Sequence, residues 1–349
     1  MTRGSRAFEV SCHDRTSVGP LLPEWKTLLH RAPVRNPLCA PERQLVWCRI
    51  FVPLGRERIL AVRQVSTGLL VGVLPLFVHH LLPGLPWGRS VHVVGGVHEP
   101  LVHELPEIVL HPDHARAVLS AALAWLYQHE RWDWVDLDVR DDQPWPEPRW
   151  VSDAGFQPSS SSTATSCRCA WPCRRSGRWH LGRSVATCAR ACAGTRQEAL
   201  LRSVGRLAPT TSPTVHRVRQ DDVTVAALLT FAGAETLWVS VSGVAAWAWD
   251  LSAVTGLQQQ AVELAFAYGR RRVVISTGVD TAKLRWSTRL LLTHRFALVH
   301  PRRSSRALYR LLTLVRTQRQ LTPVFSRFTT PGPPPPGPAV SGSQDPGIR

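Results

Sequence analysis

Lysine and asparagine are almost missing from this chain. Of its 42 basic residues only Lys26 and Lys283 are lysines, Asn36 is the sole asparagine, and 25 acids leave a formal charge of +17. A GC-rich coding sequence produces this bias through codon choice. The scarcity gives weight to Lys283, because an ammonium is a compact charge that can lose its proton when desolvated, which a guanidinium does not do. A solvated lysine at the start of a helix is the plainer alternative.

Several function classes lack their signatures. No helix-turn-helix, zinc-finger or RNP-type pattern accompanies the positive charge, and acids such as Asp136, Asp138, Asp141 and Asp142 break it up. Specific nucleic-acid binding is therefore not expected, and weak attraction to polyanions is a by-product of arginine content. Leu69–Gly88 is long and uncharged, yet Pro75, Pro83, Pro86 and the His79-His80 pair make it a poor membrane helix, so no transmembrane segment is expected. The opening MTRGSRAFEVSCHDR has no apolar core, which predicts no secretory leader and a cytoplasmic protein. No Ser-His-Asp elbow, Walker loop, paired zinc hooks or glycosidase-like carboxylate set is present. His79, His80, His92, His98 and His103 complete no H-x3-H helix pattern and are expected in the core or at strand ends, with no metal site.

What is present suffices for two domains of ordinary size: 349 residues, 44% of them hydrophobic. The tail from Thr329, TTPGPPPPGPAVSGSQDPGIR, has too few large apolar groups to offset its ordering entropy, so residues 329–349 are expected to be disordered. Ser159–Arg206 also stands apart. It holds Cys167, Cys169, Cys173, Cys188 and Cys192, many arginines and only Glu198 as an acid, with no sustained period of two or 3.6. Three accounts fit it: a zinc site with unusual C-x-C-x3-C and C-x3-C spacing, a disordered basic linker, or a stretch translated in a shifted frame. The segment is expected to be poorly packed.

Between residues 20 and 158 the pattern is regular. Two short helices, one holding Trp25 and one running from Pro41 to Trp47, precede strands at Ile59–Val65 and Leu69–Val78 with Gly68 in the turn, then Val91–Gly95. Pro112 and Asp113 open a helix with Val118, Leu119, Ala122, Trp125 and Leu126 on one apolar stripe. Trp134–Val139 alternates as a strand. Leu69–Val78 is expected at the centre of the sheet, because its continuous apolar run cannot face water on either side.

Residues 257–286, LQQQAVELAFAYGRRRVVISTGVDTAKLRW, pack the most signals into the least chain. Leu257, Ala261, Leu264, Ala265 and Tyr268 recur at helical spacing, Thr255 is placed to accept the first free N–H groups, and Gly269 suits the left-handed position after the helix. Arg270, Arg271 and Arg272 follow at the negative end of its dipole, and Val273, Val274 and Ile275 make a buried strand. After Ser276-Thr277-Gly278, Asp280 can cap a new helix that sets Lys283 and Trp286 on one face.

Ala265–Gly269, the glycine-terminated strand, Asp280 and the K-x-R-W of Lys283, Arg285 and Trp286 together resemble the C-terminal signature of BioF-like or CelD-like acetyltransferases. These belong to the GNAT superfamily and are similar to FemABX ligases, whose chains hold two GNAT-like halves. Gly72-Val73-Leu74-Pro75-Leu76 is similar to the family's G-x-x-P-L strand. The resemblance implies an α/β (α+β) fold of tandem GNAT-like halves, residues 20–158 and 207–320, the second shortened and incomplete. It implies an N-acyltransferase using acyl-CoA as co-substrate, with no tightly bound cofactor and an amine acceptor, in envelope or polysaccharide metabolism. Asp280 is the candidate base or amine-binding carboxylate. Lys283, Arg285 and Trp286 are the candidate substrate-binding group, and Thr255-Gly256 could offer N–H groups to a pyrophosphate. Two departures favour a second outcome, a non-catalytic remnant that acts as a basic binding protein or has no function. No Q/R-x-x-G-x-G/A phosphate loop is present, and Asp221–Val254 is short, with room for one strand pair folded around Gly243 within Val239–Trp249.

Overall fold

The computed structural model describes residues 7–31, 36–81, 87–95, 108–140, 157–158, 163–169, 213–220, 222–233, 235–275, 286 and 290–321. By packing, the chain divides into Met1–Tyr309, which contains the sheet, and Arg310–Arg349.

The first half opens with strand β1 (Phe8–His13), helices α1 (Leu22–Arg31) and α2 (Pro41–Phe51), and strands β2 (Glu57–Gln64), β3 (Leu70–His80) and β4 (Arg89–Val93). The short β5 (Val109–Leu110), helix α3 (Ala115–His129) and β6 (Trp134–Arg140) complete it. This is the element order the pattern predicts, with β1 added at the sheet's edge and the short β5 added beside β3. β3 pairs antiparallel with β2, β4 and β5, and its first nine residues are buried. It is a strand in a covered sheet, and no described helix is long and apolar enough to cross a membrane.

Two layers of side chains hold this half. On one face Leu60, Val62, Leu74, Leu76 and Val91 meet the α3 stripe of Val118, Leu119, Ala122 and Leu126. On the other, Trp25 of α1 packs with Leu28, Ile59, Ala61 and Val73. Gly72 is required where α3 crosses β3, since a Cβ there would overlap Val118 Cγ1 and lie 3.1 Å from Leu110 Cδ2. Gly68 takes φ +69° in the β2–β3 turn, a region that a side chain disfavours. Arg15 donates to the buried Glu57 carboxylate and, at 2.8 Å, to Val52 O, tying the end of α2 to β2.

The remaining strands are β7 (Gln157–Pro158), β8 (Thr163–Cys169), β9 (Pro213–Gln220), β10 (Val223–Ala232) and β11 (Thr236–Val244), followed by helix α4 (Ala253–Ala267), β12 (Arg272–Ile275), β13 (Leu290–Val299) and helix α5 (Arg303–Leu321). All belong to one sheet ordered β1-β2-β3-β4-β6-β13-β8-β12-β11-β10-β9, with β5 on β3 and β7 on β13. Leu228, Leu237, Val239, Leu257, Ala261, Ala265, Val273 and Ile275 form the core beneath α4.

Three expectations change here. The segment read as irregular contains β8, which pairs antiparallel with β13 on one side and β12 on the other. Thr163–Cys169 lacks apolar alternation, but its backbone N–H and C=O groups find partners on both edges, which is what a strand needs. Second, no strand pair folds around Gly243. β11 runs through it, with Gly243 opposite Ala227 of β10, and a 3-10 turn occupies Ala246–Leu251. Third, the α4 helix begins at Ala253, so Thr255 lies inside it and the N-cap position falls to Ser252 at φ 53°. The residues from 170 to 212 and the tail from Thr329 lie outside the described residues.

Candidate active site at the second parallel fork

Only two strand pairs in this sheet that include a helical crossover run parallel: β4 with β6 across α3, and β11 with β12 across α4, among the described residues. Each parallel contact is short. β12 follows β11 from Thr236↔Arg272 to Val239↔Ile275, whereas β11 continues to Val244 alongside β10. β12 is described as far as Ile275, and the C-terminal ends of parallel strands are the side on which open α/β sheets offer a crevice.

The N-terminus of α4 follows the C-terminal end of β11. Ser252 makes no side-chain capping bond, so the first turn presents its N–H groups at the positive end of the dipole. Gly256 N–H is committed to Ser252 O at 3.1 Å, so the groups that remain come from the residues before it rather than from Gly256. A Cβ on exposed Gly256 would meet nothing within 4 Å, leaving that flank open. The preceding 3-10 turn places Trp247 (60% exposed) and Trp249 (73%) on the surface.

Trp286 is brought to the same place. It is half-buried against the α4 core, and its Nε1 donates to Gln258 Oε1 at 3.1 Å, two residues beyond Gly256. Its anchor is therefore structural, in the second turn of α4. Asp280, Lys283 and Arg285 lie outside the described residues, between the end of β12 and Trp286. At the far end of α4, Gly269 takes φ +74°, Gly269 N–H bonds Phe266 O and Arg270 N–H bonds Ala265 O, which closes the helix as its sequence predicts. Tyr268 departs from the apolar stripe: it is the C-cap and faces solvent. Lys26, the other lysine, is ion-paired with Glu42 and links α1 to α2.

The first fork carries polar residues that the sequence does not single out. Ser90 and Trp134 are register partners, and β4 and β6 alternate, so Ser90, His92, Trp134, Asp136 and Asp138 share one face. His92 Nε2 lies 2.6 Å from Ser90 Oγ, and His92 Nδ1 lies 3.3 Å from Asp136 Oδ2, which also accepts from Trp134 Nε1 at 3.3 Å. Arg295 of β13 donates to Asp138 Oδ1 at 3.0 Å; burial opposes its charge, but Asp138 and Asp136 outweigh that and raise its pKa. Ser90 is wholly enclosed, so this network serves to join β4, β6 and β13 rather than to meet a substrate. The period-two pattern S-V-H-V against W-V-D-L-D-V is the signal that could have revealed it. Asp133 reinforces the join, accepting from Gly88 N at 2.7 Å, Arg89 N at 2.9 Å and Ser305 Oγ.

A groove of about 850 Å³ between β1 and α3, lined by Phe8, Val10, Val65, Trp125 and His129, shares no residue with either fork.

No protein-family model matches this chain, and no curated protein matches it. Among solved structures it is similar to FemX, at TM-score 0.50 and 9% identity over 87% of this chain and 100% of that one. The fold is shared with FemX. It is also similar to a tandem GNAT protein from the clavulanic acid biosynthesis pathway (TM-score 0.45, 14% identity, 84% of this chain and 99% of that one) and to a GCN5-related N-acetyltransferase from Sphaerobacter thermophilus (0.39, 14%, 86% and 98%). The likeness to FemX fits the tandem GNAT-like arrangement that the sequence resemblance implies.

Proposed function

We propose that this chain is an N-acyltransferase that moves an acyl group from acyl-CoA to an amine, with the donor held at the second fork. The observation that carries this is the α4 N-terminus, without a side-chain cap, following the C-terminal end of β11, with Trp286 anchored on Gln258 in its second turn. Anionic phosphates suit a helix N-terminus, and Lys283 and Arg285, close in sequence to Trp286, supply the cationic partners.

The reaction asks the protein mainly for positioning. The amine lone pair attacks the thioester carbonyl carbon, a C–N bond forms, the C–S bond breaks, and CoA leaves as its thiol. The proton given up by the amine passes to a base, a role assigned to Asp280 or to water. Backbone N–H groups at the fork polarise the carbonyl oxygen. The resemblance to BioF-like and CelD-like enzymes supports an acceptor from envelope or polysaccharide metabolism, such as an amino sugar.

Free thiol released from acetyl-CoA in the presence of amino sugars or amino acids tests this. Release that depends on the amine and falls in Asp280→Asn is expected. The missing Q/R-x-x-G-x-G/A loop favours the non-catalytic alternative, and binding of acetyl-CoA without release for any acceptor would select it.

A further inference from the structure

We propose that α5 is an interfacial helix that docks this protein on an anionic lipid bilayer. No acid occurs between Asp280 and Asp345, and α5 itself, RSSRALYRLLTLVRTQRQL, is cationic throughout. Arg303, Arg306 and Arg310 fall at i, i+3 and i+7 and form one row, and all are exposed. Ala307, Leu311, Leu314 and Val315 fall at i, i+4, i+7 and i+8 and form the adjacent row, with Leu311 59%, Leu314 63% and Val315 40% exposed. Within Met1–Tyr309 the opening turns are held by another side of the helix: Ser305 is buried on Asp133, and Tyr309 lies against Trp134 with ring centroids 5.8 Å apart.

An apolar strip bordered by arginines, on a helix too polar to span a bilayer, matches the lipid interface more closely than water or a protein core. Leucines enter the boundary between headgroups and acyl chains while guanidinium groups stay at phosphate depth, where each can bind bidentately. An acidic protein would satisfy the arginines but gives no reason for three apolar residues to face solvent beside them. The surface shares no residue with the second fork, so its fate is independent of the acyl-transfer proposal.

Flotation of the full chain with phosphatidylcholine vesicles, with and without phosphatidylglycerol, is the test. Binding to the mixed vesicles alone is expected, weakening about fivefold for Arg306→Gln or Arg310→Gln. Leu311→Gln with Leu314→Gln should weaken it about tenfold or more without altering the circular dichroism of the protein. Failure of the folded chain to bind either vesicle would overturn the proposal. So would binding indifferent to the leucine substitutions, which would mark a mere polycation, or retention on a soluble acidic protein with vesicles ignored.

Discussion

Gly72 lies under Val118 where α3 crosses β3, so the first half depends on a residue that has no side chain. Gly72→Ala is expected to destabilise the protein by about 1–3 kcal/mol, because the interior is already close-packed. Val118→Ala in the same background should recover part of that loss, and chemical denaturation of the single and double variants measures the coupling. His216 makes a pH-dependent contribution. It is buried beside Thr230, its Nε2 3.1 Å from Thr230 Oγ1, and burial lowers its pKa below the ordinary 6.5. In the unfolded chain it binds a proton at a higher pH than in the folded one, so stability is complete above about pH 6.5 and falls as the pH drops below it. Burial acts in the same direction on His80 and His300. The thermal midpoint is expected to fall on acidification below pH 6.5, less steeply in His216→Gln; an unchanged slope would remove His216 from the account.

At the scale of elements, β8 is the sharpest departure from the sequence pattern. Lying between β13 and β12, it should show slow amide hydrogen exchange across Thr163–Cys169, where disorder would give exchange at the solvent rate. Elements with a strong local period were legible: α3 from its stripe, β3 from its apolar run, and α4 from Leu257, Ala261 and Gly269. β8 and β13 were not, because each is defined by partners far away in sequence. β13 joins Phe296 to Leu137 and Leu291 to Ser166, contacts that no local periodicity reports. The same applies to the site. The body of α4 and Trp286 were legible as a motif, whereas the helix start was misplaced by two residues, and their meeting through Gln258 depends on tertiary packing. The Ser90–His92–Asp136 network was hidden because each member, taken alone, is an ordinary strand residue.

At the scale of the molecule, one sheet contains two β-helix-β units of parallel strands, and the two forks are occupied differently. The first is filled by Ser90, His92, Asp136, Asp138 and Arg295, linked as Ser90–His92–Asp136 and as Arg295–Asp138. The second ends in a helix start whose cap residue makes no side-chain bond, bordered by Trp286 and by exposed Trp247 and Trp249. The proposed acyl transfer rests on the second fork, and cohesion on the first. Calorimetry of the full chain with acetyl-CoA tests this division most directly. The account predicts saturable binding between the low-micromolar and millimolar range. Lys283→Ala should weaken it about tenfold, whereas Lys26→Ala, which breaks only the clip to Glu42, should leave it unchanged. A folded protein that gives no binding heat, or one whose affinity is indifferent to Lys283, would contradict it.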